Sequence, residues 1–394
     1  MPTDPVTAHP VAELPRATER MAVLALTAAA FALNLNVNVL GALLPFLRDL
    51  AVVDGDGAFV LVMASAFGTA AGSLLVGPIV RRLGRKPALL FGLLLFAAAS
   101  LLHLLADTAA VLAVLRAVTG FAAGFAYATA SALAAEVSPY SRRGAAMGWF
   151  SAGMFLAVPI GMPLTVWLAS AGSWRSIFAV QAAVGAVALG FSWRVVPAIA
   201  QAPVRVRFRD VLGDRQVVAG LGATMLHVGS FFTTVQLATT WLDETGRVAK
   251  EDQLWLWVGM GLLSVIGSAS LGRLSDRLGK RFFVLSCSVV LVLCFGLLAG
   301  EPGPHVMLVV AAALAIAAAA RTGPLQALVS GLVEAHQMPA LMGLRSALMQ
   351  FGIGIFALVA QRLPAEFGFG GVLWFAAGCQ ALSYFAIRFG VGPR

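Results

Sequence analysis

Arg116, Arg321 and His227 each stand inside a run of apolar residues. A cation or a proton-carrying ring in such a run has neither water nor counter-charge at hand, so it marks a site for a ligand, an ion or a proton. Arg321, in the segment AAAARTGPLQ (317–326), lies deep in its run, whereas Arg116 lies near an end from which a long side chain can snorkel. His103 reads as a packed histidine. The 18 acidic residues do not answer these groups, because each falls in a tail, in a loop or near the end of an apolar run. Asp49, Asp107, Glu136 and Glu334 come nearest to the interior. An interior with arginines and no carboxylate repels cations and suits an anionic, zwitterionic or neutral ligand.

Other polar residues share faces with these groups. At 100° per residue Asn34 and Asn38 point the same way, Gly41 continues that face, and Asn36 points elsewhere. His227, Ser230 and Thr234 follow at i, i+3 and i+7, and Tyr127 and Ser131 continue the helix of Arg116. Asn34, Asn38, Arg116, Tyr127, His227, Ser230, Thr234, Arg321, Gln326 and Gln350 are therefore expected to line a central, substrate-binding cavity. His227, Asp49 and Glu136 are the candidates to carry a coupling proton.

Enzyme chemistry is excluded by what these residues lack. No histidine begins H-E-x-x-H, no G-x-S-x-G occurs, and Gly279-Lys280 is followed by Arg281 where a phosphate loop needs serine or threonine. Cys287, Cys294 and Cys379 lie within apolar segments, so neither a disulfide framework nor a metal site is indicated. No catalytic residue, cofactor or metal is expected.

The elements that must position these groups are membrane helices. With 60% hydrophobic and 11% charged residues in 394, the chain is too apolar for a soluble protein, and its +9 charge sits at the ends of apolar runs rather than in a nucleic-acid-binding domain. Runs long enough to cross a bilayer lie near 21–45, 58–80, 87–106, 109–134, 145–169, 174–196, 216–241, 253–272, 282–300, 306–330, 341–360 and 371–389. Residues 1–20, with Pro2, Pro5, Pro10 and Pro15, read as a disordered tail with no cleaved leader. A bundle over 21–196, a polar linker over 197–215, a second bundle over 216–389 and a tail over 390–394 follow. The cations sort by this topology: Arg16, Arg20, Arg142, Arg143, Arg207, Arg281, Arg345 and Arg388 fall with most others on one face. The opposite face has Arg48, Arg175, Arg247, Lys250 and Arg362. That bias puts both termini in the cytoplasm of a cell whose inner membrane the chain spans. All eight tryptophans lie near span ends, where an indole can sit half-wet.

Residues 272–281, GRLSDRLGKR, are wedged between two apolar runs as a short charged loop, and residues 77–86, GPIVRRLGRK, repeat the arrangement in the first half. This duplicated pattern resembles the loop G-x-L-a-D-r-x-G-r-k of the major facilitator superfamily. Gly272, Asp276, Arg277, Gly279 and Lys280 match it, and in the first copy Gly77, Gly84 and Arg85 match while Arg81 replaces the aspartate. The fourth-helix pattern R-x-x-x-G-x-x-x-G resembles Arg116, Gly120 and Gly124. Residues 148–163, GWFSAGMFLAVPIGMP, resemble the fifth helix of facilitator exporters, with Val158 where glycine is frequent. Trp174, Arg175 and Phe178 match the sixth-helix G-W-R-x-x-F, with Ser173 for glycine.

The resemblance implies an all-α integral membrane fold of twelve transmembrane helices in two pseudo-symmetric six-helix bundles. It implies a monomeric secondary transporter, in a lipid bilayer, that moves a small molecule by alternating access. Proton-coupled export is the expected activity; uptake or exchange of an organic anion, or a non-transporting sensor on the same fold, is the alternative. Gly153, Pro159, Gly161 and Pro163 are expected to let the fifth helix bend. In the family the loop aspartate holds the cytoplasmic gate, a role open to Asp276 and closed to Arg81. The expected consequence is an asymmetric gate whose resting state is open inward.

Overall fold

A computed structural model of the chain describes residues 14–49, 55–172, 174–199, 208–245, 248, 250–360 and 362–392. Its helices are α1 (Arg16–Asp49), α2 (Gly55–Leu74), α3 (Val76–Leu83), α4 (Arg85–Leu102), α5 (Ala109–Val137), α6 (Arg143–Ser170) and α7 (Ser176–Val195). The short α8 (Phe208–Leu212) leads to α9 (Arg215–Thr245), α10 (Lys250–Leu278), α11 (Lys280–Ala299), α12 (Pro304–Ser330), α13 (Met338–Ala360) and α14 (Leu363–Gly390). Eleven are long and apolar enough to cross a membrane, and α2 with α3, bent by 50° at Leu75, makes a twelfth span. A backbone in lipid must satisfy its own polar groups, and apolar runs of this length do so as helices.

The charged motifs are not loops. Helix α10 continues through Asp276 and ends at Leu278, and α11 starts at Lys280, so the turn is Gly279 alone, at φ +90°. Gly84, at φ +83°, does the same between α3 and α4. Positive φ is costly for any residue with a Cβ, which is why a glycine stands at each break. The tail is also shorter than expected: residues 16–20 are helical, and Glu19, in the first turn of α1, is buried against Arg142 at 2.8 Å. Trp174 is buried against Phe178, whereas Trp167, Trp193, Trp255 and Trp374 are exposed.

Close helix crossings hold each half together. Gly68 and Gly72 of α2 face Gly120 and Gly124 of α5, and a Cβ at any of the four would strike a backbone carbonyl of the partner helix. Without a hydrophobic force between helices in lipid, such backbone approach is what van der Waals packing can use. Gly153 and Gly161 seat α6 against Thr27 and Leu35 of α1 in the same way, and α6 runs as one helix through Pro159 and Pro163. Gly72→Leu is therefore expected to destabilise the first half by about 1–3 kcal/mol or more through overpacking. Gly190→Ala, with open space around it on α7, should be neutral or stabilising by up to ~1 kcal/mol. Thermal unfolding in detergent, followed by size-exclusion recovery, separates the two.

Candidate functional site

The two arginines singled out by the sequence lie inside their own halves. Arg116 donates from Nη1 to the Asn36 Oδ1 at 2.7 Å and from Nη2 to the Asn36 carbonyl at 3.0 Å and the Ser65 Oγ at 3.1 Å. Asn36, which helical spacing sets apart from Asn34 and Asn38, is thus its main partner. Arg321 donates to the Gln380 Oε1 at 3.2 Å and the Ser383 Oγ at 2.7 Å. Gln380 also meets the His227 Nδ1 at 3.2 Å and donates to the Ser230 Oγ at 2.9 Å, while the His227 Nε2 faces the Thr322 Oγ1 at 3.4 Å. Each guanidinium is fully buried and bonded to neutral oxygens. His103, as expected, is packed: its ring stacks on Phe178 at 4.3 Å and its Nδ1 meets the Ala99 carbonyl.

A different set of polar groups joins the halves, and it is layered from the end where Gly84 and Gly279 turn the chain. We call this the basic end. At its rim the Asp276 carboxylate, from α10, accepts the backbone N–H of Gly144 at 2.9 Å and of Ala145 at 2.8 Å, and pairs with Lys280 at 2.8 Å. These N–H groups are the first of α6, where the helix dipole favours negative charge. Below that contact Gly144, Gly148, Gly272 and Gly323 bring α6 against α10 and α12; a Cβ on Gly148 would stand 2.5 Å from the Ser268 carbonyl oxygen.

The pseudo-equivalent contact is built from other atoms. Arg81 is exposed, and its place is taken by Arg85, buried, which pairs with Glu136 at 2.7 Å and donates to the Ala335 carbonyl of the second half at 2.6 Å. Arg143 donates to Ser330 across the same boundary. The basic end is thus closed in this structure, rather than open as the loss of the first aspartate suggests, because a cation meeting a carbonyl does the joining that a carboxylate at a helix start would have done.

Deeper still, Gln326 of α12 donates to the Ser131 Oγ of α5, and Ser131 donates to the Met342 Sδ of α13 at 3.2 Å. Ser73 and Ser346 bridge α2 and α13 at 3.1 Å. One turn from Ser131 on α5 stands Tyr127, half-buried, and about one turn beyond Met342 on α13 stands Arg345, 1% exposed. The sequence reading put Arg345 with the cations of the basic face. The structure corrects this, since α13 begins at Met338 and carries Arg345 about 10 Å inward.

The profile of the Major Facilitator Superfamily matches residues 26–246 and 219–393. The chain belongs to this superfamily. Among its relatives are the uncharacterized MFS-type transporter YtbD of Bacillus subtilis, 25% identical over 74% of this chain and 80% of its own length, and a probable sugar efflux transporter of Helicobacter pylori strain P12, 26% identical over 70% of each. Two solved structures share the fold: the human organic anion transporter MFSD10 (TM-score 0.77, 18% identity, 95% of this chain and all of that one) and the proton:xylose symporter XylE (0.76, 15%, 96% of each). This facilitator is a multi-pass membrane transporter and not an enzyme.

In the facilitator's frame, the expected site residues divide. Tyr127 and Gln326 stand at the boundary between halves; Arg116, Arg321, His227 and Ser230 bond within one half. Asn34 and Thr234 bond to carbonyls of their own helices, and Gln350 is half-buried one turn beyond Ser346. The side chains of Asn38 and Asp49 lie outside the described residues. Arg345, Asn36, Ser65 and Gln380 escaped the sequence reading, although Gln380 and Ser383, polar and one turn apart in an apolar run, were a signal.

A carboxylate accepting two backbone N–H groups contributes about 1.5–3 kcal/mol per bond. Asp276→Asn is accordingly expected to raise reactivity of a cysteine placed at Ser330, approached from the basic side, by about tenfold or more, since each 1.4 kcal/mol is tenfold in population. Exposed Arg81→Asp should change it by less than about threefold.

Proposed function

We propose that the chain is a proton-coupled exporter of a small organic molecule, working as a monomer in the inner membrane with its basic end and both termini in the cytoplasm. The observation that carries this reading is the layer of polar side chains that meet across the boundary between the two halves. Gln326, Ser131 and Met342 meet there on α12, α5 and α13, on the basic side of Tyr127 and Arg345, and Ser73 of α2 meets Ser346 of α13. Polar contacts buried between rocking bundles in lipid fit a ligand site rather than bundle stability alone. The orientation rests on the excess of arginine and lysine at the basic end. Export is supported by the relatives named as sugar efflux transporters and by the glycine- and proline-rich α6.

His227 is the interior group whose ordinary titration lies near neutrality. Gln380, Thr322 and the Arg321 and Arg345 cations surround it, and it links α9, α12 and α14. Asp276 closes the cytoplasmic side, the role that the resemblance to the family implies for it, and Arg85 closes it beside the other half.

Everted vesicles expose the cytoplasmic face, so an exporter fills them. With an acid lumen, vesicles holding the protein should accumulate labelled monosaccharides or monocarboxylates faster than vesicles without it, and a protonophore should abolish the difference. Binding without accumulation would make the protein a sensor; accumulation indifferent to the protonophore would remove the proton. His227→Gln should flatten the dependence of rate on lumenal pH. An unaltered profile passes the role to Glu136 or Asp49.

A further inference from the structure

Among the described residues, three arginines are buried in the membrane-spanning core, and one of them has no hydrogen-bond or ion-pair partner. Arg116 and Arg321 are held by side-chain and backbone oxygens of their own halves. For Arg345, 1% exposed, no hydrogen bond or ion pair reaches the guanidinium from any described residue, and its Nε is a buried donor without an acceptor. Nearby carboxylates are engaged elsewhere, Glu136 with Arg85 and Asp276 with α6 and Lys280. A guanidinium that is withdrawn from water and left unpaired is costly, and no described residue offers it a hydrogen bond or a counter-charge.

Its location is specific. Met342 and Ser346, on either side of Arg345 along α13, are both bonded to the first half, so Arg345 projects from the stretch of helix that forms the boundary. The half-buried Tyr127 of α5 lies within electrostatic reach of it. A second orphan stands in the same layer: the Gln326 Oε1 is a buried acceptor with no donor, on a side chain that meets Met342. A cation without an anion and an acceptor without a donor are complementary to one kind of molecule.

We infer that Arg345 binds the anionic group of the transported molecule, a carboxylate or similar oxyanion taken by two guanidinium N–H groups, while Gln326 accepts from a hydroxyl or N–H of the same molecule. This narrows the substrate class of the exporter proposed above and rests on that reading. Arg345 lies inward of the closed floor made by Gln326, Ser131 and Met342, so in the closed state an anion there is shut off from the basic end.

The test reads charge at the site without a transport assay. In a background with Cys287, Cys294 and Cys379 replaced by alanine, Tyr127→Cys is labelled with an anionic sulfonatoethyl and a cationic trimethylammonioethyl methanethiosulfonate. Each rate is taken relative to that with a free thiol. The anionic reagent should be favoured by about tenfold or more, as expected beside an unscreened cation. Arg345→Gln should bring the ratio to about one, and Arg345→Lys should keep most of it. A ratio near one in the parent, or one unmoved by Arg345→Gln, overturns the assignment. Ser131→Cys carries the same comparison if Tyr127→Cys does not fold. Gluconate, at equal ionic strength, should slow the anionic reagent more than sulfate does; equal or greater slowing by sulfate overturns the organic-anion class. Failure of vesicle accumulation with the charge ratio intact would instead fault the exporter reading and leave Arg345 a binding residue.

Discussion

The Asp276 carboxylate on the first N–H groups of α6 is the contact on which the closed end depends. It joins α10 of the second half to a helix start of the first, where the dipole and two unpaired backbone donors both favour an anion. With that contact made, Gly144 and Gly148 come down on Gly272 and Gly323. Only with the backbones so close can Gln326 reach Ser131, and that layer in turn seals Tyr127 and Arg345 from the basic face. The Lys280 ammonium, on the pair's own side, offsets the remaining charge of the carboxylate and lies over the Tyr140 ring at 4.3 Å.

The two halves solve the same joining problem with opposite charges. Where the second half presents a carboxylate to N–H groups, the first presents the Arg85 guanidinium to the Ala335 carbonyl and holds that cation in place with Glu136. Either solution pairs a charge with the backbone pole it suits, and in both the glycine at the turn permits the geometry. The replacement of an aspartate by Arg81 therefore changes the chemistry of the joint without removing it. Arg81 itself faces solvent, where an ion pair contributes under about 1 kcal/mol.

Charge inside the membrane is treated in two ways. Arg116 joins three helices and Arg321 two through neutral amide and hydroxyl oxygens, an arrangement that fixes helix register while leaving a formal charge. A buried charge lacking even those partners costs several kcal/mol, so a position such as Arg345 is tolerated where something else completes it. The same division appears among the polar side chains: Ser230, Thr234 and Thr322 return their hydroxyls to carbonyls one turn back, whereas Ser131, Ser73 and Ser346 direct theirs across the boundary.

Twelve spans, the duplication and the basic face were legible in the sequence, because the bilayer imposes a length and a composition that each segment must satisfy by itself, although α14 starts eight residues before the expected 371 and α10 runs six past the expected 272. The glycines at 84 and 279 and the carboxylate at 276 were legible for the same local reason. What the chain could not declare alone was direction around each helix axis. Whether Arg321 looks toward α14 or toward the other half, whether Asn36 rather than Asn34 meets Arg116, and whether Arg345 lies at the rim or in the seam depend on how far each helix is rotated and shifted against its neighbours. Those rotations are set by backbone approach at paired glycines far apart in sequence, Gly68 and Gly72 with Gly120 and Gly124, and Gly148 with Gly272 and Gly323. A helical period says which residues share a face; only the tertiary packing decides what that face meets.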